Sequence, residues 1–362
     1  MSRAAKSRIV AVVVVLAVLG ALLWLSFRQR RVMRVEPKAI MGTSAELTVI
    51  VSGPAGEQRG GAVLAAGEAV LRNIEAKMSS HLESSEISRF NSAAVDVETP
   101  LSAESREVIR IACQFTGESG GAFDITVQPL LELWKRAGND GKLPTQQQIE
   151  EARSRVGCQH IRLTLAGGVR LRAGVQVDLG GIAKKHAIDK AVEEMRLEPV
   201  IGGLVNVGGD IRVFGRPAKG ETWSIGIRDP FAKDGLLGTM RIKDGAVCTS
   251  GNYERFVEIE GKRYSHIVDP RTGWTADAVP SVTVYGPTAV KAGLWATALV
   301  ILGEDGMGRL PRDQGLEAMI VLGPADRIIL DDDSVMNLEV RTTRLAPATL
   351  YSRMLAGRAA AA

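Results

Sequence analysis

Five short segments of this chain combine glycine turns with single polar residues, and they are spread over about half of its length. Glycine lets the backbone turn sharply and approach a ligand closely, and polar side chains on such loops are common in binding sites. A fold that brings these turns together would form a site suited to a phosphate-bearing ligand. The segments are residues 121–126, 177–184, 206–210, 249–255 and 265–273.

An apolar run over residues 9–25 has basic residues on both sides. Its length is about that of a helix that spans the hydrocarbon core of a bilayer. A membrane anchor and a signal peptide are the two interpretations, and we favour an uncleaved anchor because residues 22–27 are too bulky for a small-residue cleavage site. The predicted organisation is an N-terminal membrane segment at residues 1–34, one large domain at 35–345 and a disordered alanine-rich tail at 346–362.

The charge of the chain does not indicate a nucleic-acid partner. The formal net charge is +4 and the pI is about 9.0, but much of the excess lies in the basic flanks of the N-terminal apolar run. Aromatic residues make up only 4% of the chain, and no basic stripe is interleaved with them. We therefore expect no nucleic-acid binding.

The three cysteines, Cys113, Cys158 and Cys248, are widely spaced. They form no CxxC pair and have no histidine partner pattern, so a structural zinc site is not expected. An odd number excludes complete pairing within the chain, and we interpret all three as small buried apolar residues.

The order of the predicted helices and strands indicates an α+β fold. Segments with apolar residues at helical spacing alternate irregularly with predicted strands, and strands dominate from residue 204 to residue 284. No strand is followed by GxGxxG, and the order is not a regular βαβ series, which argues against a Rossmann dinucleotide domain. The predicted helices cover residues 60–78, 103–116, 147–156, 184–195 and 288–302, with a helix-start signal at 84–88; strands are predicted at 45–51 and 319–322, a hairpin at 161–177 and a charged connector at 28–38.

The second glycine segment has two interpretations. We expect a strand to end at Asp178, a glycine pair to make the turn, and a helix to begin near Ile182. The N-terminus of a helix carries a partial positive charge and binds anions, and Lys184 would add a full charge. The alternative is an ordinary strand-to-helix turn in which Asp178 caps the helix.

Other polar residues in the segments also have two interpretations. Phe123 could stack on a ligand and Asp124 could accept a hydrogen bond from it, but Phe123 could equally be a core residue. Residues 206–210 could bind a ligand or form only a tight turn. His266 precedes an Asp-Pro-Arg-Thr-Gly turn, where it could deprotonate a hydroxyl or bind a phosphate. The alternative is a histidine paired with Asp269.

Taken together, the segments resemble those of the ApbE family of FAD:protein FMN transferases. The resemblance runs from Met41-Gly-Thr43, through residues 84–91, to the helix that ends at Gly303. It implies a mixed α+β domain of two intimate lobes around a flavin-binding cleft. It also implies an activity: FMN passes from FAD to a threonine or serine hydroxyl of a partner protein, AMP is the leaving group, and Mg²⁺ bridges the pyrophosphate.

The resemblance also implies roles for individual residues. Lys184 and His266 are expected to be catalytic, with His266 near the reacting phosphate. The Ala183 carbonyl and Thr297 fall on metal-ligand positions, and His81 stands where the family usually has an aromatic residue. The implied FAD contacts are Met41, His81, Ala122, Phe123, Asp124, Gly180, His186 and Ile267.

Two positions depart from the family pattern. The family usually has Asp within an Ala-Asp-x-x-x-Thr pattern on the late helix, whereas this chain has Gly293 there, and Mg²⁺ typically binds one or two carboxylates. Asp277 from the preceding segment, or the FAD pyrophosphate and waters, are the candidates to replace that ligand. The second departure is Lys185 in place of a common glycine, which adds positive charge at the same helix entrance.

The leading expectation is a flavin transferase anchored in the bacterial inner membrane, with its domain facing the periplasm. Its partner would be an acceptor protein of a membrane-associated redox system. Two alternatives stay open. One is a flavin-binding accessory protein that has lost activity through Gly293, and the other is a pyrophosphatase that hydrolyses FAD to FMN and AMP.

Overall fold

The computed structural model describes residues 14–15, 29–232, 235–252, 255–277, 279–323, 327–330 and 338–340. The predicted anchor at 9–25, apart from two residues, and the predicted tail at 346–362 lie outside this part of the chain. Among the residues that the structure describes, none of the helices is long and apolar enough to cross a membrane.

The elements of the described chain are numbered here in sequence order. The helices with both ends described are α1 (Gly56–Met78), α2 (Glu86–Ser92), α3 (Ala103–Glu118), α4 (Gln128–Asp140), α5 (Gln146–Arg153), α6 (Ala183–Met195) and α7 (Ala289–Leu302). The strands are β1 (Arg31–Val35), β2 (Ala45–Val51), β3 (Thr99–Pro100), β4 (Ile161–Leu163), β5 (Gly167–Arg170), β6 (Gly202–Val207), β7 (Asp210–Gly215), β8 (Trp223–Arg228), β9 (Leu236–Ile242), β10 (Gly245–Gly251), β11 (Phe256–Ile259), β12 (Lys262–Ser265), β13 (Ser281–Gly286), β14 (Glu317–Gly323), β15 (Arg327–Leu330) and β16 (Leu338–Val340).

An eight-stranded antiparallel sheet forms the centre of the fold, in the order β1-β2-β6-β7-β10-β13-β14-β15. Helices α1, α6 and α7 cover one face, and the small sheet of β8, β9 and β16 covers the other. Side chains alternate along each strand, so Val49 of β2 packs on the helix side while Ile50 packs with Trp223 and Ile225. This mixed architecture confirms the predicted α+β class.

Helix α1 packs tightly against both the sheet and α6. A Cβ atom at Gly67 would lie only 2.8 Å from Leu47 Cδ2 on β2. The side chains of Leu71 and Ile74 are fully buried, whereas Ala66 and Val70 are half-buried.

All five predicted helices are found with small changes at their ends, and those expected at 60–78, 147–156 and 184–195 are α1, α5 and α6. The helix expected at 103–116 is α3, and the one expected at 288–302 is α7, with Thr288 as its N-cap residue. The predicted start of α2 is confirmed by the Ser85 hydroxyl, which accepts a hydrogen bond from the Ser88 backbone N–H at 2.9 Å. Side-chain caps of this kind are local, which is why the sequence reveals them.

Two predictions of local structure are wrong, and one helix was not predicted. The connector at 28–38 contains the edge strand β1, and the sequence analysis misses helix α4. The strand expected to end at Asp178 is not formed, because β5 ends at Arg170. The side chain of Asn91 satisfies the Val177 backbone instead: Nδ2 donates to its carbonyl and Oδ1 accepts from its N–H, both at 2.8 Å.

Cys113 and Cys158 form a disulfide, with their Cα atoms 5.5 Å apart. The interpretation of all three cysteines as small buried apolar residues is therefore wrong for these two. The fold brings Cys113 on α3 beside the short 3₁₀ turn that contains Cys158, a contact that their spacing in the sequence does not reveal. Cys248 is free and buried, as predicted.

Removing the disulfide with Cys113→Ser and Cys158→Ser is expected to lower the free energy of unfolding by about 2 to 4 kcal/mol. The crosslink joins residues 45 positions apart and so restricts the unfolded chain. Urea unfolding of the oxidised protein and of the double variant measures the difference. Reduction of the wild-type protein should produce the same loss, and unchanged unfolding midpoints in both comparisons would contradict the prediction.

Candidate functional site

A cavity of about 640 Å³ lies where the five glycine segments meet. Each segment contributes at least one lining residue, and Asp124, Gly180, Asp210, Ser250 and His266 represent the five in order. The volume falls in the range of about 300 to 1,000 Å³ that is usual for cofactor sites. The candidate binding turns therefore form one site.

The structure places all but one of the predicted site residues on the wall of this cavity. They come from loops between elements as well as from α6 and α7. Those that line it are Met41, His81, Ala122, Phe123, Asp124, Gly180, Ala183, Lys184, His266, Ile267 and Thr297.

His186 is the exception among the predicted contacts, because it lies outside the cavity lining. It is buried, and its Nε2 lies 3.2 Å from Oε1 of Glu104 on α3. Successive residues of a helix are turned by about 100°, so His186 points well away from Lys184, which faces the cavity. The structure thus places the imidazole between α6 and α3, where it joins the two helices.

The N-terminus of helix α6 borders the cavity. Its N-cap residue is Ile182, without a side-chain cap. Asp178 accepts a hydrogen bond from the Gly180 N–H at 2.9 Å, so the alternative in which Asp178 caps the helix is wrong. A Cβ atom at Gly181 would lie 2.7 Å from Phe123 Cε2, which is why the turn needs glycine there. The partial positive charge of the helix end therefore lies at the site.

Two lysines of α6 share one buried carboxylate. Asp210 is 1% exposed, and its Oδ2 lies 3.0 Å from Lys184 Nζ and 3.7 Å from Lys185 Nζ. These distances suit ion pairs. Burial lowers the pKa of Lys185, although Asp210 opposes the shift. With both lysines protonated, the group of Lys184, Lys185 and Asp210 carries more positive than negative charge and suits an anionic ligand.

Asp124 presents a second carboxyl group to the cavity. Its Oδ1 accepts hydrogen bonds from the Thr126 backbone N–H at 2.8 Å and from the Thr126 hydroxyl at 2.6 Å. Burial raises the pKa of Asp124, and the two Thr126 bonds oppose that shift. Neighbouring Phe123 packs edge to face with Phe115 at 5.6 Å between ring centroids. Phe123 is therefore both a core residue and a lining residue, so its two interpretations are not exclusive.

His266 is oriented by a backbone carbonyl. Its Nδ1 lies 3.0 Å from the carbonyl oxygen of Arg255. Because a carbonyl can only accept, Nδ1 carries the proton, and the neutral ring keeps its lone pair on Nε2. Asp269 is the partner of Arg271, from which it accepts hydrogen bonds at 2.8 to 2.9 Å. The structure therefore does not support the alternative in which Asp269 holds the histidine.

The residues at the family's metal position do not fit Mg²⁺. Ala183 and Thr297 line the cavity, but position 293 is glycine, and Asp277 is exposed and outside the lining. A Cβ atom at Gly293 would lie 2.5 Å from Cε and 2.6 Å from Cγ of Lys185, so the lysine stem occupies the space of a carboxylate side chain.

The other donors at this place do not replace the missing carboxylate. The nearby Asp210 carboxylate faces two ammonium groups. Within the described residues, no cluster of three or more His, Cys, Asp or Glu side chains could hold a metal ion. Mg²⁺ prefers an octahedral set of oxygens that usually includes carboxylates. The Thr297 hydroxyl and the Ala183 carbonyl, in a cavity that also contains the Lys185 ammonium, do not form such a set.

Sequence reasoning missed two residues of the site. Asp210 belongs to the third glycine segment, and a buried carboxylate between two lysines becomes visible only in three dimensions. Glu75 lies on α1, and its Oε1 accepts a hydrogen bond from the Met41 N–H at 2.7 Å. Met41 has a φ of 50°, so Glu75 holds a strained turn at the cavity. No pattern in the sequence marks Glu75.

Comparisons with known proteins show the family of this chain. A family model described as the ApbE family matches residues 41–320. A Salmonella typhimurium protein named FAD:protein FMN transferase is 31% identical over 254 residues, which cover 68% of this chain and 72% of that protein.

Two solved structures are also similar. The ApbE protein of Thermotoga maritima has a TM-score of 0.74 and 32% sequence identity, and the match covers 83% of this chain and 97% of that chain. The apo form of the flavinyl transferase ApbE of Pseudomonas stutzeri has a TM-score of 0.71 and 28% identity, covering 84% and 95%. From the family match, the shared fold and the convergence of the glycine segments, we conclude that the chain belongs to the ApbE family.

Proposed function

We propose that this protein transfers FMN from FAD to a threonine or serine hydroxyl of an acceptor protein and releases AMP. The observation that carries the proposal is the pair of lysines at the start of α6, where Lys184 and Lys185 share the buried carboxylate of Asp210 at the cavity. This helix start suits the negative charge of a pyrophosphate. The names of the relatives, FAD:protein FMN transferase, support the same substrate.

The proposed reaction replaces the phosphoanhydride bond of FAD with a phosphate ester bond to the acceptor. The hydroxyl oxygen of the acceptor attacks the phosphorus of the FMN half of FAD. A new O–P bond forms while the P–O bond to the AMP half breaks, and AMP leaves with the bridging oxygen. The hydroxyl proton passes to a base. Positioning and neutralisation of charge contribute most to phosphoryl transfer of this kind.

Three residues of the cavity fit the parts of this reaction. We assign the role of base to His266, because its Nδ1 is held by the Arg255 carbonyl and Nε2 carries the lone pair that would accept the hydroxyl proton. Lys184 is partly exposed at the cavity and can stabilise the charge that grows on the leaving phosphate. Asp124 can accept a hydrogen bond from a ring N–H or a ribose hydroxyl of the ligand.

The resemblance to the family implies Mg²⁺ at the pyrophosphate, where it would neutralise charge. Because the donors around Ala183 and Thr297 do not fit that ion, we assign no step of the reaction to it. The chain's own cations are sufficient to describe charge neutralisation at this place.

We also propose that the protein is anchored in the bacterial inner membrane with its domain in the periplasm, where it modifies a membrane-associated redox protein. The apolar run at 9–25 supports an anchor. The disulfide between Cys113 and Cys158 supports the periplasm, because disulfides persist in oxidising compartments. Protease added to intact spheroplasts should digest the domain, whereas protection from the protease would contradict this orientation.

The experiment that tests the activity uses the full chain in detergent with FAD and acceptor peptides that contain one threonine. We expect a covalently fluorescent peptide and one AMP released for each FMN attached. A peptide with Thr→Val at the acceptor position is the matched control. A shortened chain should begin before Arg31, because β1 is the edge strand of the central sheet.

The same experiment separates the two alternatives. Tight FAD binding without AMP release would indicate a flavin-binding accessory protein, which the glycine at position 293 favours. Release of both FMN and AMP without a labelled peptide would indicate a pyrophosphatase. Either result, obtained with the cognate acceptor protein present, would overturn the proposed transfer.

A further inference from the structure

Lys185 is a buried cation at the cavity. It lies in the first turn of α6, its side chain is only 8% exposed, and it forms part of the cavity wall. Burial of a charged group is unfavourable unless an opposite charge or a ligand compensates it. Asp210 is closer to Lys184 than to Lys185, so the single carboxylate leaves the pair of lysines with a net positive charge.

Gly293 on α7 is the position that admits this lysine. A Cβ atom there would lie 2.5 Å from Cε, 2.6 Å from Cγ and 3.0 Å from Cδ of Lys185. Contacts under about 3 Å require the lysine to move, even for a single methyl group. The identities of positions 185 and 293 are therefore coupled through direct packing.

The family usually has a carboxylate at position 293 and commonly a glycine at position 185. The different residues of this chain at these two positions preserve the charge of the site. A divalent cation bound to one carboxylate carries a net single positive charge, and one lysine ammonium carries the same charge. Lys185 with Gly293 thus matches the charge of a metal ion with a carboxylate at 293, and the lysine stem fills the space of that side chain. The lysine also needs no free metal ion, because its charge is part of the chain.

We propose that the Lys185 ammonium supplies the positive charge at the FAD pyrophosphate that a divalent metal would otherwise supply, and that this protein therefore binds FAD and transfers FMN without such a metal. In this role Lys185 acts only through its charge, so it changes no bond and moves no proton. The inference rests on the proposed function, since it names how the same site neutralises its substrate.

The wild-type protein provides the first test. Its FAD affinity and its rate of FMN transfer should be the same, within about twofold, in EDTA and in excess Mg²⁺. Calorimetric titration of Mg²⁺ into the FAD complex should produce no heat of specific binding. Loss of transfer in EDTA with recovery on addition of Mg²⁺ would overturn the inference while leaving the proposed function intact.

Variants of the two coupled positions provide the second test. Lys185→Met keeps most of the side-chain volume and removes the charge, so FAD affinity in EDTA should fall by about 10- to 100-fold, as expected for loss of a charge-assisted bond. Gly293→Ala should weaken FAD binding in the same direction, because the added methyl displaces the lysine. Lys190→Met on the same helix, with its 43% exposed side chain, is the matched control and should bind FAD normally.

The double variant Lys185→Gly with Gly293→Asp should restore FAD binding only when Mg²⁺ is present. Thermal unfolding curves establish that each variant is folded before its FAD affinity is compared. Unchanged FAD affinity in folded Lys185→Met would overturn the role of the lysine. If Lys185→Met weakens FAD binding but none of the proteins transfers FMN, the proposed function is overturned and the role of the lysine is supported. Absence of FAD binding by the wild-type protein would overturn both.

Discussion

Replacement of His266 by alanine is expected to slow FMN transfer by about 100- to 10,000-fold, the range typical for loss of a general base. The bond from Nδ1 to the Arg255 carbonyl fixes the ring and leaves the lone pair on Nε2. Without that nitrogen, the acceptor hydroxyl must lose its proton to water. FAD affinity should change much less, because the charged wall of the cavity is made by α6 and Asp210.

Single-turnover transfer to an acceptor peptide, together with FAD titration by fluorescence, separates these two effects for His266→Ala. The matched control is His160→Ala, since His160 lies outside the cavity lining and should transfer FMN at the wild-type rate. A His266→Ala rate within about tenfold of wild type would show that another group accepts the proton. An equal loss in FAD affinity and rate would instead assign the histidine to ligand binding.

The second large effect concerns stability. Asp189→Ala is expected to lower the free energy of unfolding by about 3 to 5 kcal/mol, as for other buried ion pairs that lose one partner. Asp189 on α6 is 5% exposed and lies 2.7 Å from Arg212 of β7. It also accepts hydrogen bonds from the Ala289 and Val290 N–H groups at 2.8 and 2.9 Å. The variant leaves the Arg212 charge buried and two amides of α7 without this acceptor.

Urea unfolding at pH 7 measures the loss in Asp189→Ala. The matched control is Asp244→Ala, which removes the exposed ion pair of Asp244 with Arg196 and should cost less than about 1 kcal/mol. Equal losses in the two variants would contradict the role of burial. Because Asp189 joins the helix of Lys184 to α7, folded Asp189→Ala protein should also bind FAD more weakly.

The parts of the fold that follow from local interactions could be predicted. Strand β2 matches the predicted 45–51, and the Ser85 cap marks the start of α2, because alternation and capping act over a few residues. The missed helix α4 has Leu130, Leu133 and Trp134 at helical spacing, a signal that was present. Its position depends on distant contacts, such as the bond from Trp134 Nε1 to the Gly273 carbonyl at 2.8 Å.

The sequence by itself determined the class of the fold, the five turns that bear the site, and the two departures at Lys185 and Gly293. Only the tertiary structure decided that the lysine fills the space of the missing side chain, that Asp210 lies between two ammonium groups, and that two cysteines are bonded. The physical reason is the distance along the chain over which each interaction acts. Turns and caps are set by neighbouring residues, whereas burial and charge pairing depend on elements that meet only after the chain has folded.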